Sequence, residues 1–405
     1  MVRYRAAWIL PISRRPIRDG WVETDRGRIT AVGQGAPTTA VEEVVLGDVA
    51  VMPGLVNAHT HLELSYLRGR IPPATEFVDW IRRLMAARRD RPDPRAPEIV
   101  DAIDSAVDEA LACGTAVVGD ISNTLVPFDS LARSQLAAVV FYELIRFNAA
   151  DPASFVEAAV AELAARPKTE RVRASLAAHA PYSVGPAVFR AIRGAIDRDS
   201  VAVTSVHLAE SPAETVFVRT GEGPWRTLLE ELGVWDQAWT PPGVSAVQYM
   251  DDVGFFDARA LAVHCVQANR ADLARLKSRG ATVVTCPRSN VRTGVGAPPI
   301  EDFYDTGVAV AIGTDSLASA PDLNVFAELA AAHAMAPSVP PARLLDSATR
   351  EGARALGFGG DYGTIEAGKR ARLIAVTVPP DLTDVEEYLV SGVTPAQIRW
   401  IDEHG

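Results

Sequence analysis

The stretch Met52-Pro53-Gly54-Leu55-Val56-Asn57-Ala58-His59-Thr60-His61 decides how the rest of the chain is read. Leu55 to Ala58 is a short apolar run, and a pair of histidines spaced H-x-H follows it directly. In an extended segment residues i and i+2 point the same way. His59 and His61 can therefore approach one metal ion from one side. Taken alone, the pair could equally be two partly buried histidines satisfied by backbone partners.

Downstream of Val51 the same grammar recurs. Short apolar runs, each followed by a helical stretch, occupy Leu55 to Ala58, Thr115 to Ile121, Ala137 to Leu144, Val172 to Ala178, Val201 to Val206, Ala260 to Val263, Thr282 to Thr285 and Val308 to Ile312. Alanine-rich segments with helical spacing lie between most of them, such as Ile99 to Ala112, Asp151 to Ala165, Pro186 to Ile196 and Arg270 to Arg279. Strand alternating with helix implies a parallel sheet with crossover helices. Eight repeats predict an α/β fold, a (β/α)8 TIM-like barrel. An open doubly wound sheet usually carries a glycine-rich phosphate loop after its first strand, and none follows Leu55 to Ala58.

Outside this repeat the pattern changes. Residues before Val51 read as short strands and turns, punctuated by Asp19-Gly20, Arg26-Gly27 and Gly33. After the eighth run come helical stretches at Asn324 to Met335 and Pro341 to Leu356. Gly357, Gly359, Gly360 and Gly363 then break the chain, and Thr364 to Val378 returns to short strands. Residues 1–52 and 358–405 are expected to pack together as a small β-sandwich domain made of both termini. The barrel domain would then span 53–357.

Composition excludes several classes. With 48% hydrophobic and 22% charged residues among 405, wholesale disorder is ruled out. Lys+Arg minus Asp+Glu is 40 − 51 = −11, a poor balance for holding nucleic acid or an anionic membrane through the overall field. Cys113, Cys265 and Cys286 are far apart, which excludes a disulfide framework and a CxxC zinc site and fits a reducing cytoplasm. No apolar run approaches the ~20 residues of a membrane span. Met1 to Arg15 lacks the small-residue cleavage site of a signal peptide.

The histidines fall in one place. Of seven, His59 and His61 follow the first run, His179 the fourth, His207 the fifth and His264 the sixth, leaving only His333 and His404 elsewhere. Asp315 follows the eighth run in Gly313-Thr314-Asp315-Ser316. The carboxyl ends of barrel strands form the face where active sites are built. His59, His61, His207 and Asp315 are the expected metal ligands. Three imidazoles and one carboxylate suit one divalent ion, Zn2+ or alternatively Fe2+, with a water as the source of the nucleophile.

Glu210, three residues after His207, can lean over this centre and relay protons. A glutamate stabilised at a helix N-terminus is the plainer alternative. His264 is too far round the barrel to be an automatic ligand and could orient the water, whose proton Asp315 could accept. His179 is expected to touch substrate. The chain has three lysines, and Lys168 precedes the fourth run by several residues. A second metal bridged by a modified lysine at the end of that strand is therefore not expected.

The ordered set Met52 to His61, His207-Leu208-Ala209-Glu210, Val263-His264-Cys265, Cys286-Pro287-Arg288-Ser289-Asn290, Gly313 to Ser316 and Gly363 to Lys369 resembles the amidohydrolase superfamily over nearly the whole chain. Within it the chain is most similar to the single-metal deaminases, which include adenosine, S-adenosylhomocysteine and guanine deaminases and triazine hydrolases. The resemblance implies hydrolytic deamination of an aromatic ring, with Glu210 protonating the ring nitrogen and His264 and Asp315 handling the water. It also implies a nucleoside-like small-molecule substrate, and dimers are common in the family. Ala58 to Ser65, Leu67-Arg68-Gly69 and Phe77-Val78-Asp79-Trp80-Ile81 look like the aminodeoxyfutalosine deaminases of the futalosine route to menaquinone.

That substrate class is an adenine nucleoside carrying a benzoate, and a carboxylate in a closed pocket calls for arginine. Arg68, Arg146 and Arg288 all follow barrel strands and are candidates, each with a surface or loop-pinning arginine as the alternative. Phe77 to Ala87 reads either as a helical lid presenting Phe77 and Trp80 to the substrate or as an ordinary amphipathic helix. An amide, guanidine-like carbon or chloro-triazine in place of the amino group is a second reading, and a non-catalytic binding barrel a third.

Overall fold

The computed structural model describes residues 1–35, 41–167 and 169–401, so Lys168 and His404 lie outside the described residues. The chain begins with β1 (Val2–Ile9), β2 (Ile17–Asp25), β3 (Arg28–Gln34) and β4 (Glu42–Pro53). Eight further strands alternate with helices: β5 (Leu55–Thr60), β6 (Thr115–Ser122), β7 (Ala137–Leu144), β8 (Val172–Ala178), β9 (Thr204–Leu208), β10 (Ala260–His264), β11 (Thr282–Thr285) and β12 (Ala309–Ile312). β13 (Leu373–Thr377) and β14 (Ile398–Ile401) close the chain.

β5 to β8 pair in parallel in chain order, and so do β9 to β12. Parallel strands covered by helices are buried on both faces, which is why these runs read as continuous apolar stretches. Two seams turn the half-sheets into one barrel. At the β8/β9 seam the His207 amide donates to the His179 carbonyl (2.8 Å), and Thr204 Oγ1 donates to the Leu176 carbonyl (2.9 Å). At the β12/β5 seam the amides of Thr314 and Asp315 donate to the His59 carbonyl (3.1 and 3.0 Å). Gly313 makes that second approach possible. A Cβ there would sit 2.8 Å from His59 Cβ and 3.0 Å from Cys286 Sγ. The barrel is thus stitched shut by the residues that carry its polar cluster.

Strands from both ends of the chain form one six-stranded sheet in the order β14-β13-β4-β1-β2-β3. β1 and β4 run parallel, while the other neighbours are antiparallel. Tyr4, Ile9, Val22, Ile29, Val51, Ile365, Leu373 and Ile401 fill a buried cluster belonging to this sheet. The fold is therefore the expected α/β barrel with an added layer of terminal strands.

Several strand ends differ by a residue or two, and the largest shift is at the fifth strand. It starts at Thr204, not Val201, because Asp199 to Ala202 form a turn with the Ala202 amide on the Asp199 carbonyl (3.2 Å). Val201 is 68% exposed. The strand consequently runs on to include His207. The stretch from Pro341 is helical, as expected, with a wider π turn at Ser347–Glu351. No helix among the described residues is long and apolar enough to cross a membrane.

Candidate active site

His59 ends β5 with no exposure, and both of its ring nitrogens are buried without a hydrogen-bond partner. Leaving two such nitrogens unpaired is costly unless another species meets them. His61 follows on the same side, as the i, i+2 spacing requires. His207 enters from β9, His264 from the end of β10 and Asp315 from the loop after β12. His61 Nε2 lies 3.4 Å from His207 Nε2 and 3.5 Å from Asp315 Oδ1, and His59 Nε2 lies 3.8 Å from the same oxygen. Ligand atoms ~2.0–2.2 Å from a tetrahedral ion stand roughly 3.3–3.6 Å apart, so the 3.4 and 3.5 Å separations fit a single zinc-sized cation and the 3.8 Å one lies just beyond that range.

The donor states agree. Burial, reinforced by His61, His207 and His264, holds His59 far below the ordinary imidazole pKa. Burial also lowers His61 against the pull of Asp315, and brings His264 down to about 3. His207 Nδ1 faces the His179 carbonyl at 3.1 Å. A carbonyl only accepts, so Nδ1 carries a proton and Nε2 is the nitrogen turned to the cluster. Burial lowers His207, but Glu143, Glu210 and Asp315 outweigh it and raise it to about 9 in the absence of a metal. The surrounding carboxylates favour a positive charge at this point.

Asp315 is fixed by its neighbours. Ser316 N donates to Oδ1 (2.7 Å), while Ser289 Oγ and Ser319 Oγ (2.9 Å) donate to Oδ2. Burial would raise its pKa, but His61, His264 and the Ser289 bond bring it below the ordinary value. The Asn290 amide meets His264 Nδ1 at 3.0 Å. Asp315, His264 and Ala209 adopt φ of +60°, +73° and +48°, unusual for side-chain-bearing residues and concentrated at this cluster.

Glu210 is buried, and its Oε1 lies 3.5 Å from His264 Nε2. Burial, opposed by His207 and reinforced by Asp315 and Glu214, pushes its carboxyl well above the usual range. Glu214 anchors the turn that presents it, accepting the amides of Ala209 and Glu210 (both 2.8 Å). Ser211 caps the following helix.

The cluster opens on a small pocket of about 60 Å³ lined by Phe77, Trp80, His179, Tyr182, Glu210 and His264 among others. A larger chamber of about 310 Å³ continues from it, walled by Leu84, Met85, Tyr182, Trp225, Leu228 and Leu229. Tyr182 and Trp225 stack with ring centres 3.6 Å apart. His179 lines both spaces, its Nδ1 on Ser183 Oγ; burial brings its pKa down to about 4 despite Glu143. The helix Phe77–Arg89 roofs both through Ile81 and Leu84, and Phe77 and Trp80 are buried.

The three arginine candidates separate. Arg146 lines the chamber, its guanidinium 4.9 Å over the Phe155 ring, and among the described residues no carboxylate pairs with it. Arg68 does not reach the chamber. It is half-exposed and paired to Glu109 on the helix Pro97–Ala112. Arg288 is also taken, by Glu328 (2.6 Å) and Asp322 (2.8 Å). Its neighbours Ser289 and Asn290 are the residues that touch Asp315 and His264, so Arg288 pins the turn that carries them.

His264 also sits close enough to His59 and His207 for all three to share one ion. Glu143, Ser289, Asn290 and Glu214 were not singled out from the sequence. Ser289 and Asn290 lie within the quoted Cys286 to Asn290 motif, and Glu143 is the lone carboxylate in the run Ala137 to Leu144, which were the available signals.

A barrel with this histidine-carboxylate nest at its strand ends defines a hydrolase of the metal-dependent type. The chain belongs to the amidohydrolase family, whose model matches residues 50–395. It is 30% identical to the 5-methylthioadenosine/S-adenosylhomocysteine deaminase of Nitratidesulfovibrio vulgaris over 379 residues, covering 90% of this chain and 80% of that one. It is 31% identical to the aminodeoxyfutalosine deaminase of Deinococcus radiodurans over 320 residues, or 76% and 73% of the two chains. The structure of an adenosine deaminase from Xanthomonas campestris with bound zinc matches with a TM-score of 0.82 at 27% identity, covering 98% of this chain and 90% of that one.

Proposed function

We propose that the protein is a metal-dependent hydrolytic deaminase of adenine nucleosides, with 6-aminodeoxyfutalosine, converted to futalosine and ammonia, as its first substrate. One observation carries the deaminase reading: a buried Glu210, its carboxyl pushed up by burial, stands 3.5 Å from His264 beside the histidine-aspartate nest, at a pocket lined by Phe77, Trp80 and Tyr182. His59, His61, His207 and Asp315 would hold the ion, zinc before iron, and the orphaned His59 nitrogens fit that assignment. Bound there, a divalent metal supplies a Lewis acid that lowers the pKa of water from about 15.7 toward 7.

The chain's own residues do the rest. Glu210 delivers its proton to the ring nitrogen next to the amino-bearing carbon, making that carbon electrophilic. His264 and Asp315 orient the water and take its proton. The water oxygen bonds to carbon, the C–N bond breaks, and the amino group leaves as ammonia with a proton returned through Glu210. Phe77, Trp80 and His179 hold the ring system.

The finer substrate assignment rests on Arg146, which lines the mostly apolar chamber and is paired with no carboxylate among the described residues. It suits a nucleoside with an apolar, carboxylate-bearing extension. Methylthioadenosine or S-adenosylhomocysteine is the second reading, favoured by the 30% identity over 90% of the chain to the Nitratidesulfovibrio enzyme. Ammonia release from aminodeoxyfutalosine, methylthioadenosine, S-adenosylhomocysteine and adenosine tests both. The first reading expects the highest kcat/KM for aminodeoxyfutalosine; a faster methylthioadenosine or S-adenosylhomocysteine reaction replaces it with the second. We place the domain division at 52/53 and 357/358. The three unpaired, buried cysteines support a cytoplasmic site of action.

A further inference from the structure

We infer that Glu143 accepts the sugar hydroxyls of the substrate and so makes the enzyme select ribonucleosides over deoxynucleosides. The inference rests on the adenine-nucleoside reading and goes beyond it to a residue and a selectivity. Glu143 ends β7 at the floor of the larger chamber, with its side chain only 4% exposed. Among the described residues lining that chamber it is the sole carboxylate.

Its two oxygens are unequally satisfied. Oε2 accepts from Asn123 Nδ2 at 2.8 Å. Oε1 has His207 Nδ1 as its near polar neighbour, at 3.3 Å, but that N–H is already directed to the His179 carbonyl at 3.1 Å. Oε1 is buried and left without a hydrogen-bond partner. A buried carboxylate oxygen in this state is a costly feature unless a ligand O–H completes it.

Position points to the same group of the ligand. One imidazole ring, that of His207, separates the metal-ligand cluster from Glu143. In an adenine nucleoside, one fused imidazole ring separates the amino-bearing ring from the sugar. A substrate whose amino carbon meets the cluster therefore brings its sugar toward Glu143. His179 lies alongside, close enough to share one small group with Glu143 and His207. The competing role is a positioning one, with Glu143 merely orienting His207.

The test measures kcat/KM for the ribonucleoside that the wild type deaminates fastest and for its 2′-deoxy and 3′-deoxy forms, in wild type and Glu143→Gln, with metal per chain assayed in both. The wild type is expected to disfavour at least one deoxy form by about tenfold or more, as the loss of a bond to a charged acceptor implies. Glu143→Gln is expected to lose about tenfold or more on the ribonucleoside, to close that gap, and to keep its metal. A wild type that turns over ribo and deoxy forms alike overturns the inference alone, whether or not the variant folds. A variant that loses metal, or slows on all forms equally, assigns Glu143 to His207 and also overturns it. A wild type that deaminates no adenine nucleoside overturns the functional reading and the inference with it.

Discussion

The inner cluster and the outer chamber share His61, His179 and Tyr182 but are built on opposite terms. Donors of the cluster come from strand ends and from the turns directly after them. They are buried, and hydrogen bonds from Ser289, Ser316, Ser319 and the Asn290 amide fix Asp315 and His264. The chamber is walled by the helix Phe77–Arg89 and by residues between 225 and 234, is mostly apolar, and leaves Ile145 49%, Leu232 42% and Val234 37% exposed at its rim. Groups that must be placed to a fraction of an ångström sit on the rigid scaffold, while most of the chamber wall sits on elements free to vary, Glu143 on β7 being an exception.

This contrast is broken most severely at the cluster. His61→Ala or Asp315→Asn should abolish metal retention and reduce turnover by several powers of ten; metal analysis beside steady-state rates checks both. Glu210→Gln should keep the metal yet lower kcat by about 10²–10⁴, separating proton transfer from ion binding. Chamber changes should act on binding instead. Arg146→Ala should raise KM for a carboxylate-bearing nucleoside by about tenfold and leave adenosine nearly unaffected, a split that the two Michaelis curves would show.

The smallest effect should fall outside both regions. Burial pushes the Asp251 carboxyl up, but Arg279 and Arg275 outweigh it and hold it below the ordinary value of 3.8. The fold therefore favours the ionised form, so this contribution is complete above 3.8 and is lost as pH falls through the lower folded value. Asp251→Asn should melt earlier at neutral pH, converge with wild type only as pH falls below that lower folded value, and keep kcat; thermal melts across pH check the sign.

The two regions were also unequally legible in the sequence. Eight apolar runs, each followed by helical spacing, gave the barrel, and strand geometry placed His59, His61, His207 and Asp315 at one rim. Short-range rules suffice where a side chain's direction follows from a strand. They fail where partners are some forty residues apart. Nothing local marks Arg288 as the partner of Glu328, or Arg68 as the partner of Glu109, so both stood as candidates for a substrate carboxylate with loop pinning as the alternative. Glu143 was hidden for a related reason: a single carboxylate in an apolar run is indistinguishable from one that happens to point outward. Sequence order also does not reveal how tightly a barrel closes across its interior, so the approach of His264 to His59 and His207 was not readable from it.

The central claim is that these side chains converge on one divalent ion that the reaction needs. Titrating zinc into chelator-stripped enzyme while following deamination of an adenine nucleoside tests it most directly. The account predicts negligible turnover in the stripped protein and a rise that saturates near one equivalent per chain. Full activity without metal, or a plateau only at two equivalents, would contradict it.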